Sequence, residues 1–257
     1  MAIRVLAVGD VCGAPGLESL RRYLGSLKQT YGVDFTVVNG ENANVVGITP
    51  DQAEDIFDAG ADVITLGNHT WAYRDMRDYI EDNERVLRPL NYTAICPGRG
   101  SGIYRVGGTE ICVINLLGRY GMDSNADNPF SAVEFELAEI DAPVVLVDIH
   151  AEATSERVAM GWFLDGRVSA VWGTHTHVQT SDGGVLSGGT GYISDLGMTG
   201  AVNSVLGIQP EQSIQRFLGA PPERYKTAAG PLKLECAIFE IDERSGRCLD
   251  VITLRIT

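Results

Sequence analysis

Residues 144–177 read VVLVDIHAEATSERVAMGWFLDGRVSAVWGTHTH, and this stretch decides the fold. The apolar run 144–149 has strand character and ends on His150. A helically patterned segment follows at 153–165, with Ser155 as an alternative start. A second apolar run, 168–173, then leads into Gly173-Thr174-His175-Thr176-His177. Strand, helix, strand is the crossover unit of a parallel sheet. Both apolar runs carry histidine at their C-terminal ends, where open α/β sheets gather their ligands.

The same alternation extends on both sides. Apolar runs at 3–9, 34–39, 62–66, 111–116 and 190–194 alternate with helical patterning at 16–31, 50–59, 73–83 and 130–139. Thr49-Pro50-Asp51 supplies an N-cap with proline at the first helical position. Two hairpin signals break the pattern: 103–106 and 110–114 around Gly107-Gly108, and 232–241 and 248–256 around residues 242–246. Parallel crossovers mixed with antiparallel hairpins predict an α/β fold of two packed sheets with helices outside. With no linker, repeat or low-complexity tract, residues 1–257 read as a single domain. Residues 196–230, with many glycines and three prolines, read as long loops over a site.

Composition narrows the partners. A formal net charge of −14 opposes a duplex nucleic-acid ligand, which needs clustered Lys and Arg. A small anionic substrate stays admissible if bound cations reverse the sign locally. The first residues enter a strand without a leader pattern, and no stretch reaches the ~20 apolar residues of a membrane span. Five scattered cysteines lack CxxC spacing, so a disulfide framework is not expected. These features point to a cytoplasmic protein with no membrane partner.

Five strand-end segments share one form, an apolar run followed by polar side chains. They are Val8-Gly9-Asp10, Val38-Asn39-Gly40-Glu41-Asn42, Leu66-Gly67-Asn68-His69, Asp148-Ile149-His150 and the segment ending in His175-Thr176-His177. All four histidines of the chain lie in them. Singly each is weak: Gly-Asp is commonly a turn, and a lone histidine is more often a satisfied core group. Jointly, with Asp148 set aside as a turn or supporting group, they offer two carboxylates, amide oxygens and four imidazoles, more than one cation needs. Two ions bridged by one carboxylate is the economical reading. Thr174 and Thr176 are read as strand residues or as supports for the imidazoles, and Asp148 and Asp195 as turn or supporting groups. The alternation in 174–177 suits extended backbone.

In their order and spacing these segments resemble the calcineurin-like metallophosphoesterases, whose pattern is GD, an acidic segment, GNH, a lone histidine and GHxH. The Glu41-Asn42 pair and Asn128-Pro129-Phe130 are similar to the YmdB-like branch, which extends the resemblance over the whole chain. The resemblance implies a two-sheet α/β sandwich and a phosphodiesterase acting on small cyclic nucleotides of the 2′,3′ type. It places Asp10, Glu41, Asn42 and His177 on a first divalent ion, and Glu41, Asn68, His150 and His175 on a second. A hydroxide bridging the ions would attack phosphorus, with His69 as general acid toward the leaving oxygen.

Two departures bear on the metal. Asp10-Val11-Cys12 stands where the broader family has Asp-x-His, and Glu41 replaces a bridging aspartate. With Asn42 in place of the missing imidazole the first site is harder, which favours Mn or Fe over Zn. Thiolate ligation by Cys12 is the softer alternative. A phosphomonoesterase or single-strand nuclease on the same ions, or a regulatory metal- and nucleotide-binding protein with little turnover, are the rival readings. Arg119-Tyr120 is a candidate phosphate or base contact, and segments 119–128 and 196–230 would set substrate choice. The resemblance also leans toward a homo-oligomer.

Overall fold

Two sheets lie face to face in the computed structural model, which describes residues 2–122 and 125–257. β1 (Ala2–Val8) runs through a short β2 (Asp10–Val11) into α1 (Gly13–Tyr31). β3 (Phe35–Asn39), α2 (Pro50–Asp58), β4 (Val63–Thr65), α3 (Asp75–Asp82) and β5 (Val86–Leu87) follow. The hairpin β6 (Ser101–Val106) and β7 (Thr109–Leu117) opens the second series. It continues with α4 (Pro129–Leu137), β8 (Val144–His150), α5 (Thr154–Leu164) and β9 (Ala170–Thr174). Next come β10 (Gly184–Val185), β11 (Gly191–Ile193), β12 (Met198–Ala201) and α6 (Pro210–Phe217). The chain closes on the hairpin β13 (Leu232–Asp242) and β14 (Cys248–Ile256).

One sheet has the order β2-β12-β13-β1-β3-β4-β5, with β14 paired to β13; the other has the order β10-β11-β9-β8-β7-β6. β1, β3, β4 and β5 are mutually parallel, as are β7, β8, β9 and β11. β13 lies antiparallel to β1, with Ile3 opposite Ile241.

Strand alternation builds the layers. In β1, Val5 and Ala7 face the other sheet and meet Val113, Leu146 and Trp172, whereas Leu6 and Val8 face the helices. In α1, Leu17, Leu20, Leu24 and Leu27 recur at helical spacing and form its buried stripe. Emptying one fully buried position, Leu20→Ala, would cost about 2–5 kcal/mol. Thr49 and Gln52 form a reciprocal capping box on α2, and α1 stops at Gly32, whose φ of 61° places it in the left-handed region.

The expected long loops at 196–230 need correction: β12 and α6 lie within them. β12 is a four-residue strand containing glycine, and α6 is only eight residues, flanked by glycine- and proline-rich chain. Elements that short carry too little periodicity to read. α1 starts at Gly13, three residues before the expected start. Residues 123 and 124 of the 119–128 segment lie outside the described residues. Among the described residues, no helix is long and apolar enough to cross a membrane.

Candidate metal centre

The C-terminal ends of β1, β3 and β4 in one sheet meet those of β8 and β9 in the other, and every polar strand-end group expected from the sequence arrives there. Asp10 follows Gly9, which packs so tightly that an added Cβ would lie 2.3 Å from the Gly197 carbonyl oxygen. Asp10 is fully buried, and its Oδ2 accepts from the His175 N–H at 3.1 Å. Among the described residues its Oδ1 has no hydrogen-bond partner; it lies 3.8 Å from His150 Nδ1 and 3.9 Å from His177 Nε2.

Around His150 the groups crowd closer. Its Nε2 is 2.9 Å from Glu41 Oε1, 3.1 Å from Asn68 Oδ1 and 3.0 Å from His175 Nδ1. The second oxygen of Glu41 accepts from the His69 N–H at 3.0 Å. Asn42 donates its amide to the Val45 carbonyl at 2.8 Å, which leaves its Oδ1 facing His177 Nε2 at 3.3 Å. The groups therefore form two sets that meet at the buried carboxylates: Asp10, Asn42 and His177 on one side, and Asn68, His150 and His175 on the other.

The His150 imidazole is held from behind. His150 Nδ1 lies 2.9 Å from Thr174 Oγ1; that hydroxyl donates to Asp148 Oδ1 at 2.8 Å, and Asp148 Oδ2 accepts from Thr65 at 2.6 Å. The chain of contacts fixes the ring so that Nε2 faces the cluster. The His175-Thr176-His177 turn is not extended, a correction to the alternation argument: φ is 107° at His175 and 62° at His177. β9 ends at Thr174, and tertiary contacts override local propensity beyond it. Asp195 Oδ2 accepts from the Thr176 amide at 3.2 Å and its hydroxyl at 2.6 Å, while buried Arg157 donates to the same oxygen at 3.0 Å. Backbone in this region is costly for residues other than glycine and persists only where contacts over-determine it.

The charges are strongly coupled. Burial raises the Asp10 carboxyl well above the ordinary range; nearby His150 opposes this, while Asp195 and Glu41 add to it. Burial alone would raise Glu41, but the charge and hydrogen bond of His150, with His69, hold it at about 2. Burial alone would lower His150, yet Glu41, Asp10 and Asp148 lift it to about 9. Burial pushes His175 down to about 3 and His177 to about 4, with the His150 charge adding to each.

The donor set fits divalent cations. More lone pairs than protons face one another around His150 Nε2, and Asp10 Oδ1 is orphaned at zero exposure. Among the described residues, the ligand atoms of Glu41, His150 and His175 lie within 4.8 Å of one another. Gly67 completes the cradle: a Cβ there would sit 2.3 Å from Glu41 Oε2 and 2.5 Å from His150 Nε2.

Half-buried His69 lines a cavity of about 420 Å³ together with Glu41, Asn42, His175, His177 and Glu152. Cys12 is on the same wall, but its Sγ points at the Leu206 carbonyl 3.7 Å away, and burial, with Asp10 adding, pushes the thiol up to about 12. Asn42 Oδ1 faces His177 Nε2, whereas Cys12 Sγ faces the Leu206 carbonyl. Arg119 and Tyr120 are elsewhere: their amides bind Glu156, and they line a separate cavity with Asn128 and Phe130.

Sequence reasoning missed Arg157, Leu206, whose carbonyl lies 3.1 Å from His177 Nδ1, and Glu152, which lies 3.1 Å from His175 Nε2. Only Glu152 had a signal, its place two residues beyond a strand-end histidine.

Known proteins match the chain along nearly its whole length. A family model described as YmdB-like protein matches residues 6–254. A Bacillus subtilis protein named 2′,3′-cyclic-nucleotide 2′-phosphodiesterase is 41% identical over 252 residues, covering 97% of this chain and 95% of that protein. The crystal structure of a Mycoplasma pneumoniae protein described as a novel phosphatase superposes with a TM-score of 0.93 at 31% identity, covering 100% of this chain and 94% of that one. A hypothetical protein from Thermus thermophilus superposes with a TM-score of 0.92 at 38% identity, covering 99% of each chain.

Proposed function

This chain belongs to the YmdB-like family of calcineurin-like metallophosphoesterases, and on that premise we propose that it is a dinuclear-metal phosphodiesterase opening small 2′,3′-cyclic nucleotides. One observation carries the reading: the buried carboxylates of Asp10 and Glu41 converge with imidazole and amide ligand atoms at the mouth of an open cavity. Asp10, Glu41, Asn42 and His177 would hold one ion, and Glu41, Asn68, His150 and His175 the other. Divalent ions of the Mn or Fe class would supply Lewis acidity toward the phosphoryl oxygens and activate water.

The chain's own groups do the rest. Glu41, bonded to the His69 N–H, ties the ligand set to the cavity wall. His69, on that wall, would protonate the departing ribose oxygen. In the reaction one P–O bond of the cyclic ester breaks, hydroxyl from water joins phosphorus, and a proton goes to the sugar oxygen. A proton delivered in place contributes typically ~10²–10⁴-fold. Free cysteines and a small anionic substrate suit a cytoplasmic setting.

The test is turnover of adenosine 2′,3′-cyclic phosphate with added Mn²⁺, before and after chelation. Activity lost on chelation and restored by Mn²⁺ is expected. Unchanged turnover in metal-free protein would remove the mechanism.

A further inference from the structure

We propose that the larger cavity beside the ligand cluster receives the neighbouring nucleotide of a short single-stranded oligoribonucleotide whose cyclic-phosphate end lies in the cluster. This deepens the reading of the same site and rests on it.

The cavity is about 780 Å³, against about 420 Å³ at the ligand cluster, and Val45, Val46 and Tyr225 line both. Each volume lies within the ~300–1,000 Å³ typical of one small-ligand pocket. The pair is therefore larger than a cyclic mononucleotide requires.

The wall has the chemistry of a nucleotide chain. Arg224 and Lys226 flank Tyr225, while Tyr73 and Asn44 stand on the cavity lining, with Asn44 donating to the Tyr73 hydroxyl at 2.7 Å. The main chain of this wall is pinned. Gln212 donates to the Arg224 carbonyl and accepts from the Lys226 amide, both at 2.8 Å, and the Gln209 amide donates to the Lys226 carbonyl at 3.0 Å. Among the described residues the Arg224 and Lys226 side chains have no ion-pair or hydrogen-bond partner.

Two uncommitted cations on one pinned segment are an unusual outlay in a chain with 34 acidic and 20 basic residues. Among the described residues Glu223 is the one acidic group lining this cavity, and it leaves an excess of positive charge there. Cations beside aromatic rings are how proteins track a single strand, with charge on the phosphodiester and rings under the bases. The start of α1 at Gly13 and Ala14 borders the same cavity and adds the positive end of a 19-residue helix. A cyclic mononucleotide has no second phosphate for these groups to meet; a dinucleotide with the same cyclic end does.

The experiment compares kcat/KM for adenosine 2′,3′-cyclic phosphate and for ApA ending in a 2′,3′-cyclic phosphate. It uses the Mn²⁺-loaded protein and its Arg224→Ala/Lys226→Ala variant, both changes being at exposed positions. Wild type should prefer the dinucleotide by about fivefold or more, and the variant should lose that preference while mononucleotide turnover stays within about twofold. Equal values in wild type, or a preference that survives in the variant, would overturn the proposal.

A second arm measures Kd for fluorescein-labelled ApA in chelated protein. Binding about fivefold weaker in the variant is expected, and equal Kd values would overturn the subsite. That arm needs no hydrolysis, so loss of the proposed enzymatic function and loss of the subsite are separately visible.

Discussion

The ligand cluster and the wall beside it are built by opposite means. In the cluster the side chains are buried and fixed: Asp10, Glu41 and His150 are at most 1% exposed, and His150 is braced through Thr174 to Asp148. In the wall at 223–227 the main chain is fixed and the side chains of Arg224 and Lys226 are exposed and uncommitted. A site that must hold charge against burial needs every polar atom oriented in advance. A surface that tracks a flexible anion needs only its backbone held. The difference teaches where substitutions should be severe and where they should merely retune.

The largest effect is expected at the shared carboxylate. Glu41→Gln removes the acid common to both proposed ion sites and should cut turnover on the order of 10³-fold or more, with metal content falling on elemental analysis. Full activity in that variant would break the contrast at its strongest point.

His69→Asn comes next. Turnover should fall by about 10²-fold while bound metal stays near the wild-type level; metal lost with activity would make His69 a ligand instead.

Thr174→Val keeps the shape but cuts the link between His150 and Asp148. Metal titration should show affinity weakened by roughly 10–100-fold, as for other groups that orient ligands from behind. An unchanged Kd would mean that packing alone orients the ring.

The smallest effect is expected at Cys12, whose thiol faces the Leu206 carbonyl. Cys12→Ser should leave metal affinity within about twofold, whereas a large loss would restore the thiolate alternative.

The same contrast explains what the sequence could reveal. The convergence of the expected site residues was legible because each is adjacent in the chain to the apolar strand that delivers it, so local pattern and tertiary position coincide. The helical patterning at 16–31 was legible for the same reason, and its leucines form the buried stripe of α1. The supports were legible only in part: Thr174, Thr176, Asp148 and Asp195 could be read equally as strand or turn residues, and Arg157 gave no signal. Arg157 and Asp195 are 38 residues apart, and neither residue type announces the other. The left-handed backbone at His175 and His177 opposed the local signal, since threonine and histidine in alternation favour an extended chain. The wall at 223–227 sits in a glycine- and proline-rich stretch whose short β12 and α6 lacked enough turns to register, and its two cations look like any solvated charges until the fold sets them on a cavity.

The proposed ligands come from both sheets, which has a consequence for maturation. Neither β1-β3-β4 nor β8-β9 alone supplies a complete proposed set, so full loading would follow docking of the halves, and a captured ion would then act as a rivet across their seam. Hydrogen exchange along that seam should slow on loading more than exchange in the β13–β14 hairpin, which contributes none of those ligands.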